Sequence, residues 1–400
     1  MKSFTPKLEQ NAYHDAYAPA GASSSRMPSG LERLRSRWRH ERRVDREPRA
    51  ASDAAAATAA KVSSPYMVSP LYDWVFFLLP PVVALSLGIL ISGTVFSDRE
   101  LTFWGQETTG SEWLIGMFIH AHLVIVFFRS HGNPEILQRH RWRFLAVPPL
   151  LYAAMMISPW ILIAVSVLAT FWDVYHSGLQ TFGFARIYDS KIGNEATVGR
   201  RLDWVLNTLL YAGPIVAGAT MLDHFEDFEE FDEVGATFFT SIPVFMETQQ
   251  RYFTWSILAL GVLFFVYYIW SYWRFSQQGY KVSFLKVYLL VSTGLCSIYT
   301  WGFNTWGEAF FIMNFFHALQ YFGIVWAKER KTIGRLFGVE SWSWGKPLAL
   351  CLFVGSALLY GFWVEAVDMS IKWLWGITLV VSIMHFWYDG FIWSVRKQQV

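Results

Sequence analysis

The sequence has 400 residues, 54% hydrophobic, 18% aromatic and 16% charged, with a formal net charge of +2. A soluble chain carries about 25% charged residues, so this composition excludes an ordinary soluble enzyme and indicates a polytopic membrane protein. Cys296 and Cys351 both lie in apolar runs and make neither a disulfide framework nor a CxxC metal motif.

Residues 1–65 are rich in Ala, Ser, Pro and Arg and lack an apolar period. They read as a disordered cytoplasmic tail, without the apolar stretch of a secretory signal. The basic run from Leu34 to Arg46 suits anionic lipid headgroups or an acidic partner, or serves only to fix topology. Residues 66–400 read as the transmembrane domain. Ten apolar spans are predicted, at roughly 70–95, 113–129, 143–158, 160–185, 204–222, 252–273, 282–301, 305–327, 347–364 and 371–394. The expected fold is all-α, a polytopic integral membrane helical bundle of about ten transmembrane helices. Pro80–Pro81 and Gly213–Pro214 predict kinks.

The connecting charges orient these spans. The tail and the segments Arg129–Arg143, Arg186–Asp203, Arg274–Lys281 and Lys328–Lys346 carry excess Lys or Arg, as do Arg396 and Lys397. The alternate segments Asp98–Glu112, Asp223–Arg251 and Glu365–Lys372 are acidic or nearly neutral. The positive-inside rule then places both termini in the cytoplasm; if the chain is bacterial, the membrane is the inner or plasma membrane. The external segment 223–251 opens with DHFEDFEEFDE, which reads as an amphipathic loop whose Phe residues rest on the bundle or the interface. It lacks the order of an EF-hand.

Spans two, four, eight and ten run in one direction, and each carries histidine, whereas the odd-numbered spans carry none. Asp173, His176 and Gln180 share one helical face; so do Asn314, His317 and Gln320, and Ser382, His385 and Asp389. His120 and His122 are two residues apart, so only one of them faces the others on a regular helix. His120 shares a face with His131. The histidines lie about 8 to 17 residues into their spans, depths that overlap at 1.5 Å per residue. An ionisable group inside a membrane is expensive unless it is satisfied, and marks a functional site by default.

These residues predict a metal centre. The candidate ligands are His120, His122, Asp173, His176, His317, His385 and Asp389, oriented from behind by Asn314, Gln180, Gln320, Ser382 and His131. Imidazole with carboxylate and without thiolate suits iron, in one or two ions, with zinc as an alternative. An apolar intramembrane site favours a lipid-like or isoprenoid substrate, and redox chemistry adds an electron donor as partner. No nucleic-acid partner is expected. The expected function is a non-haem iron oxidoreductase or oxygenase. Alternatives are a haem-binding redox protein, a proton-coupled transporter that uses the His/Asp cluster as a relay, and a cluster that only binds helices together. In architecture the chain resembles integral-membrane non-haem iron enzymes, such as the desaturase/hydroxylase group and the bacterial carotenoid-cleaving membrane dioxygenases. The HxxxH and HxxHH boxes are absent, so the resemblance transfers no residue.

Overall fold

A computed structural model describes residues 64–103, 105–304, 306–367 and 370–393. The 1–65 tail with its basic run, and Arg396 and Lys397, fall almost wholly outside these residues; only 64 and 65 are described. The described residues open with α1 (Pro70–Asp73), which continues as a π-turn over Trp74–Leu78, and then α2 (Pro80–Ile91) and α3 (Val95–Asp98). A short hairpin, β1 (Glu100–Phe103) and β2 (Gln106–Thr109), precedes α4 (Gly110–Val124) and α5 (Val126–Ser130). Next come α6 (Pro134–Ile157), α7 (Pro159–Lys191), α8 (Arg200–Ala217), α9 (Met221–Glu226) and a 3-10 helix over Asp227–Val234. The last five are α10 (Ser241–Gln277), α11 (Phe284–Phe303), α12 (Trp306–Leu336), α13 (Gly345–Ala366) and α14 (Lys372–Ile392).

The fold is therefore helical, with one two-stranded hairpin among the described residues. Seven of the ten predicted spans each fall on one helix, whereas 70–95, 113–129 and 204–222 are divided between successive helices. Six of these helices are long and apolar enough to cross a membrane, or eight if two bent pairs each count once. Helices α6 and α14 fall outside that number. The bends have local causes. The chain turns by 48° between Leu78 and Pro80, where proline cannot donate a helical hydrogen bond. It turns by 96° between α8 and α9, just after Pro214 and Gly218.

Helix α12 packs on α2 and α4, and α14 packs on α6, α7 and α4. One close approach needs glycine: a Cβ at Gly361 on α13 would overlap the Met117 carbonyl of α4. The glycines that follow the histidine stripes are not alike. A Cβ at Gly323 would lie 2.7 Å from Phe76, whereas Gly183 and Gly390 have open space.

The 223–234 segment folds back on α7. Phe231, with Phe228 beside it, packs on Ile163 and Val167, while Asp227 bonds Thr170 and Glu230 bonds Ser166. Burial, reinforced by the neighbouring Asp227, pushes Glu230 up to about 7. A raised carboxyl favours the docked state below its unfolded value near 4.5, and this stabilisation is lost as pH rises through about 7. Hydrogen exchange across 223–234 is therefore expected to quicken between about pH 5 and pH 8 beyond its intrinsic dependence. Glu230→Gln is expected to flatten that extra rise; an unchanged profile in the variant would show that another group sets it.

Candidate metal centre

The helical period stacks the polar stripes of α7 and α12 in register. One turn before the histidines, Asp173 bonds Asn314. In the histidine layer the rings of His176 and His317 lie 5.0 Å apart. One turn later Gln180 donates to the Gln320 side chain at 3.0 Å and to the His317 carbonyl at 3.1 Å. Gln320 in turn donates to the Phe77 carbonyl at 2.8 Å. These contacts require α7 and α12 to run parallel.

Helices α4 and α14 complete the histidine layer. His122 sits 5.1 Å from His317 and 5.0 Å from His385, ring centre to ring centre. His176 sits 4.7 Å from His385. The four rings thus form a closed quadrilateral with a His317–His385 diagonal of 6.4 Å. Half that diagonal, about 3.2 Å, is roughly the distance from a ring centre to a metal bound through a ring nitrogen at about 2.0–2.1 Å.

Burial makes this layer costly as it stands. His122, His317 and His385 are inaccessible to solvent and His176 is buried. Both ring nitrogens of His122, both of His317 and Nδ1 of His385 have no hydrogen-bond partner among the described residues. The carbonyls of Ile119 and Leu123 approach the His122 and His385 rings without hydrogen-bond geometry. An unsatisfied buried polar group costs about 1–3 kcal/mol, so three converging rings with five unpartnered nitrogens point to a ligand that takes one lone pair from each ring. The donor atoms fall into two overlapping groups, His122/His317/His385 and His176/His385/Asp389, each with all atoms within 4.8 Å. His385 belongs to both.

Asp389, one turn beyond His385, is held from two sides. Its Oδ1 accepts from the Tyr321 hydroxyl at 2.7 Å and from the Trp393 indole at 2.9 Å. Its Oδ2 lies 3.7 Å from His176 Nε2. His176 Nε2 and His385 Nε2 are 3.0 Å apart, so one donates to the other. Arg129 caps this end: its guanidinium stacks 3.9 Å over Trp393 and pairs with buried Glu329 at 2.5 Å.

The other candidates lie elsewhere. His120 points away from the ring layer and bonds Glu365 at 2.8 Å, as the two-residue spacing from His122 requires. Asp173 is in neither donor group. His131 contacts Ser130 and the Phe144 carbonyl, and Ser382 donates to its own helix at Thr378. Sequence reasoning missed Tyr321, Trp393 and Arg129. Tyr321 was within reach, because it follows His317 by one turn. A cavity of about 140 Å³, lined by Val174, Gly178, Asn207 and Tyr211, lies on the opposite face of α7 from His176.

A second buried polar centre joins α7, α8, α10 and α11. Asp203 accepts from Arg186 at 2.6 Å, Lys286 at 2.8 Å, Tyr268 at 2.8 Å and Tyr272 at 2.5 Å. Asp189 accepts from the same Arg186 and Lys286, each at 2.8 Å. Two cations and two carboxylates balance, so this centre ties the helices together.

No family model, curated relative or solved structure matches the chain.

Proposed function

We propose that this chain is a multi-pass membrane metalloprotein of about ten spans. In this reading His122, His176, His317 and His385 hold iron, with Asp389 as a fifth ligand or as the partner that orients His176. The observation that carries the reading is the closed ring of four buried imidazoles with five unpartnered nitrogens. The donor set fits: nitrogen and carboxylate oxygen without thiolate suits iron ahead of copper(I) or an iron–sulfur cluster. Iron in such a set supplies one-electron and oxygen chemistry. The protein's share is to fix the ligands from four helices, keep water out and hold a carboxylate beside them. A site within an apolar bundle favours an acyl, isoprenoid or carotenoid substrate that enters from the bilayer, with an electron donor on the cytoplasmic side.

Edge-to-face packing of the four rings leaves no slot for a porphyrin plane, which disfavours haem. The short His385–His176 contact and the adjacent Asp389 carboxylate favour a proton relay as the second reading. Elemental analysis and an absorption spectrum separate the two. Protein purified without chelators is expected to carry about one or two iron atoms per chain and no Soret band, and His317→Ala is expected to lose the metal. Metal-free wild-type protein that shows pH-linked flux in vesicles would favour the relay.

A further inference from the structure

Tyr321 is the buried group beside the ring layer that metal binding leaves unexplained. Its ring centre lies 4.5 Å from that of His385, edge to face. It also lies 6.3 Å from the His122 ring and 6.5 Å from the His317 ring. The residue is 1% exposed. Its hydroxyl donates at 2.7 Å to Asp389 Oδ1, whose other oxygen faces His176. Other phenol–carboxylate pairs occur, at Tyr188 with Asp73 and at Tyr268 and Tyr272 with Asp203. Among the described residues, Tyr321–Asp389 is the pair that touches the histidines.

We propose that Tyr321 is a redox-active residue of this site, which gives one electron to the oxidised metal ion and its proton to Asp389. This rests on the metal reading above. The balance is simple. The phenol O–H bond breaks, an O–H bond forms on Asp389 Oδ1, and one electron leaves the ring. The tyrosine becomes a neutral phenoxyl radical, the carboxylate becomes a neutral acid, and the metal ion is reduced by one unit of charge. Without an acceptor the oxidised phenol would be left as a buried cation, which a low-dielectric interior opposes. The 2.7 Å hydrogen bond removes that obstacle. Trp393 shares the same acceptor oxygen and lies 6.3 Å from Tyr321, under the Arg129 guanidinium.

The test uses full-length protein in detergent, its iron counted first. It is oxidised with a one-electron outer-sphere oxidant, hexachloroiridate, and frozen for electron paramagnetic resonance. Iron-loaded wild type is expected to give an organic radical near the free-electron position, with hyperfine structure that collapses on ring-deuterated tyrosine. Tyr321→Phe, loaded with excess iron to offset the affinity lost with its bond to Asp389, is expected to lose that signal, while Trp393→Phe, loaded alike, retains it. Should Tyr321→Phe lose iron, trifluorotyrosine at position 321 is expected to preserve the site and change the hyperfine pattern. A wild-type signal that persists unchanged in these variants, or iron-loaded wild type with no radical, would overturn the proposal and leave the metal reading intact. Iron-free wild type would remove the metal reading, and this proposal with it.

Discussion

Asp203→Ala is expected to destabilise the protein by about 3–5 kcal/mol, the usual cost of removing one partner from a buried ion pair. The carboxylate is inaccessible to solvent and accepts four hydrogen bonds from three helices. Without it, Arg186 and Lys286 share only Asp189, and the centre holds an excess positive charge away from water. Two phenols also lose their acceptor. Asp203→Asn keeps the shape but not the charge, so it should fall between wild type and Ala. The double change Asp203→Leu with Lys286→Met restores neutrality and is expected to cost less than the sum of its parts. Thermal unfolding in detergent, with ligand-independent probes on α8 and α11, reads these proteins together with the single parents Asp203→Leu and Lys286→Met. Additive losses in the double variant would show that the charges act separately.

The second large effect is on metal binding. His385 belongs to both donor groups, whereas Asp173 belongs to neither. Loss of an outer partner of a ligand already costs about 10–100-fold in metal affinity. His385→Ala is therefore expected to lower affinity more than about 100-fold, and Asp173→Asn to leave it within a few-fold of wild type. His120→Ala should resemble Asp173→Asn, because His120 is taken up by Glu365. Competition with a chelator of known affinity measures each. Equal losses in His385→Ala and Asp173→Asn would mean that the ion sits one turn earlier than the ring layer.

The sequence carried the stripes and their shared direction, because a helix repeats every 3.6 residues and places i, i+3 and i+7 on one side. That was enough to bring His176, His317 and His385 to one level. It could not rank residues within a stripe. Asp173 and His176 share a face, but a rise of about 4.5 Å between them puts the carboxylate in the layer above, beside Asn314. Of His120 and His122, spacing required that one turn away, and only packing against α12 and α14 chose His122. Arg186 and Asp203 read from the sequence as loop charges that set topology. Their burial with Lys286 depends on how α7, α8 and α11 meet, which a linear pattern does not contain. Asp389 read as a face-mate of His385, yet its partners Tyr321 and Trp393 come from another helix and from the residue just beyond α14.

X-ray absorption at the iron edge, on wild type and on His317→Ala, tests the central claim that the buried histidine layer holds iron. The account predicts about four or five nitrogen and oxygen neighbours at about 2.0–2.2 Å, with the outer scattering of several imidazole rings, and no bound iron in the variant. Iron with only oxygen neighbours, present equally in wild type and His317→Ala, would contradict it.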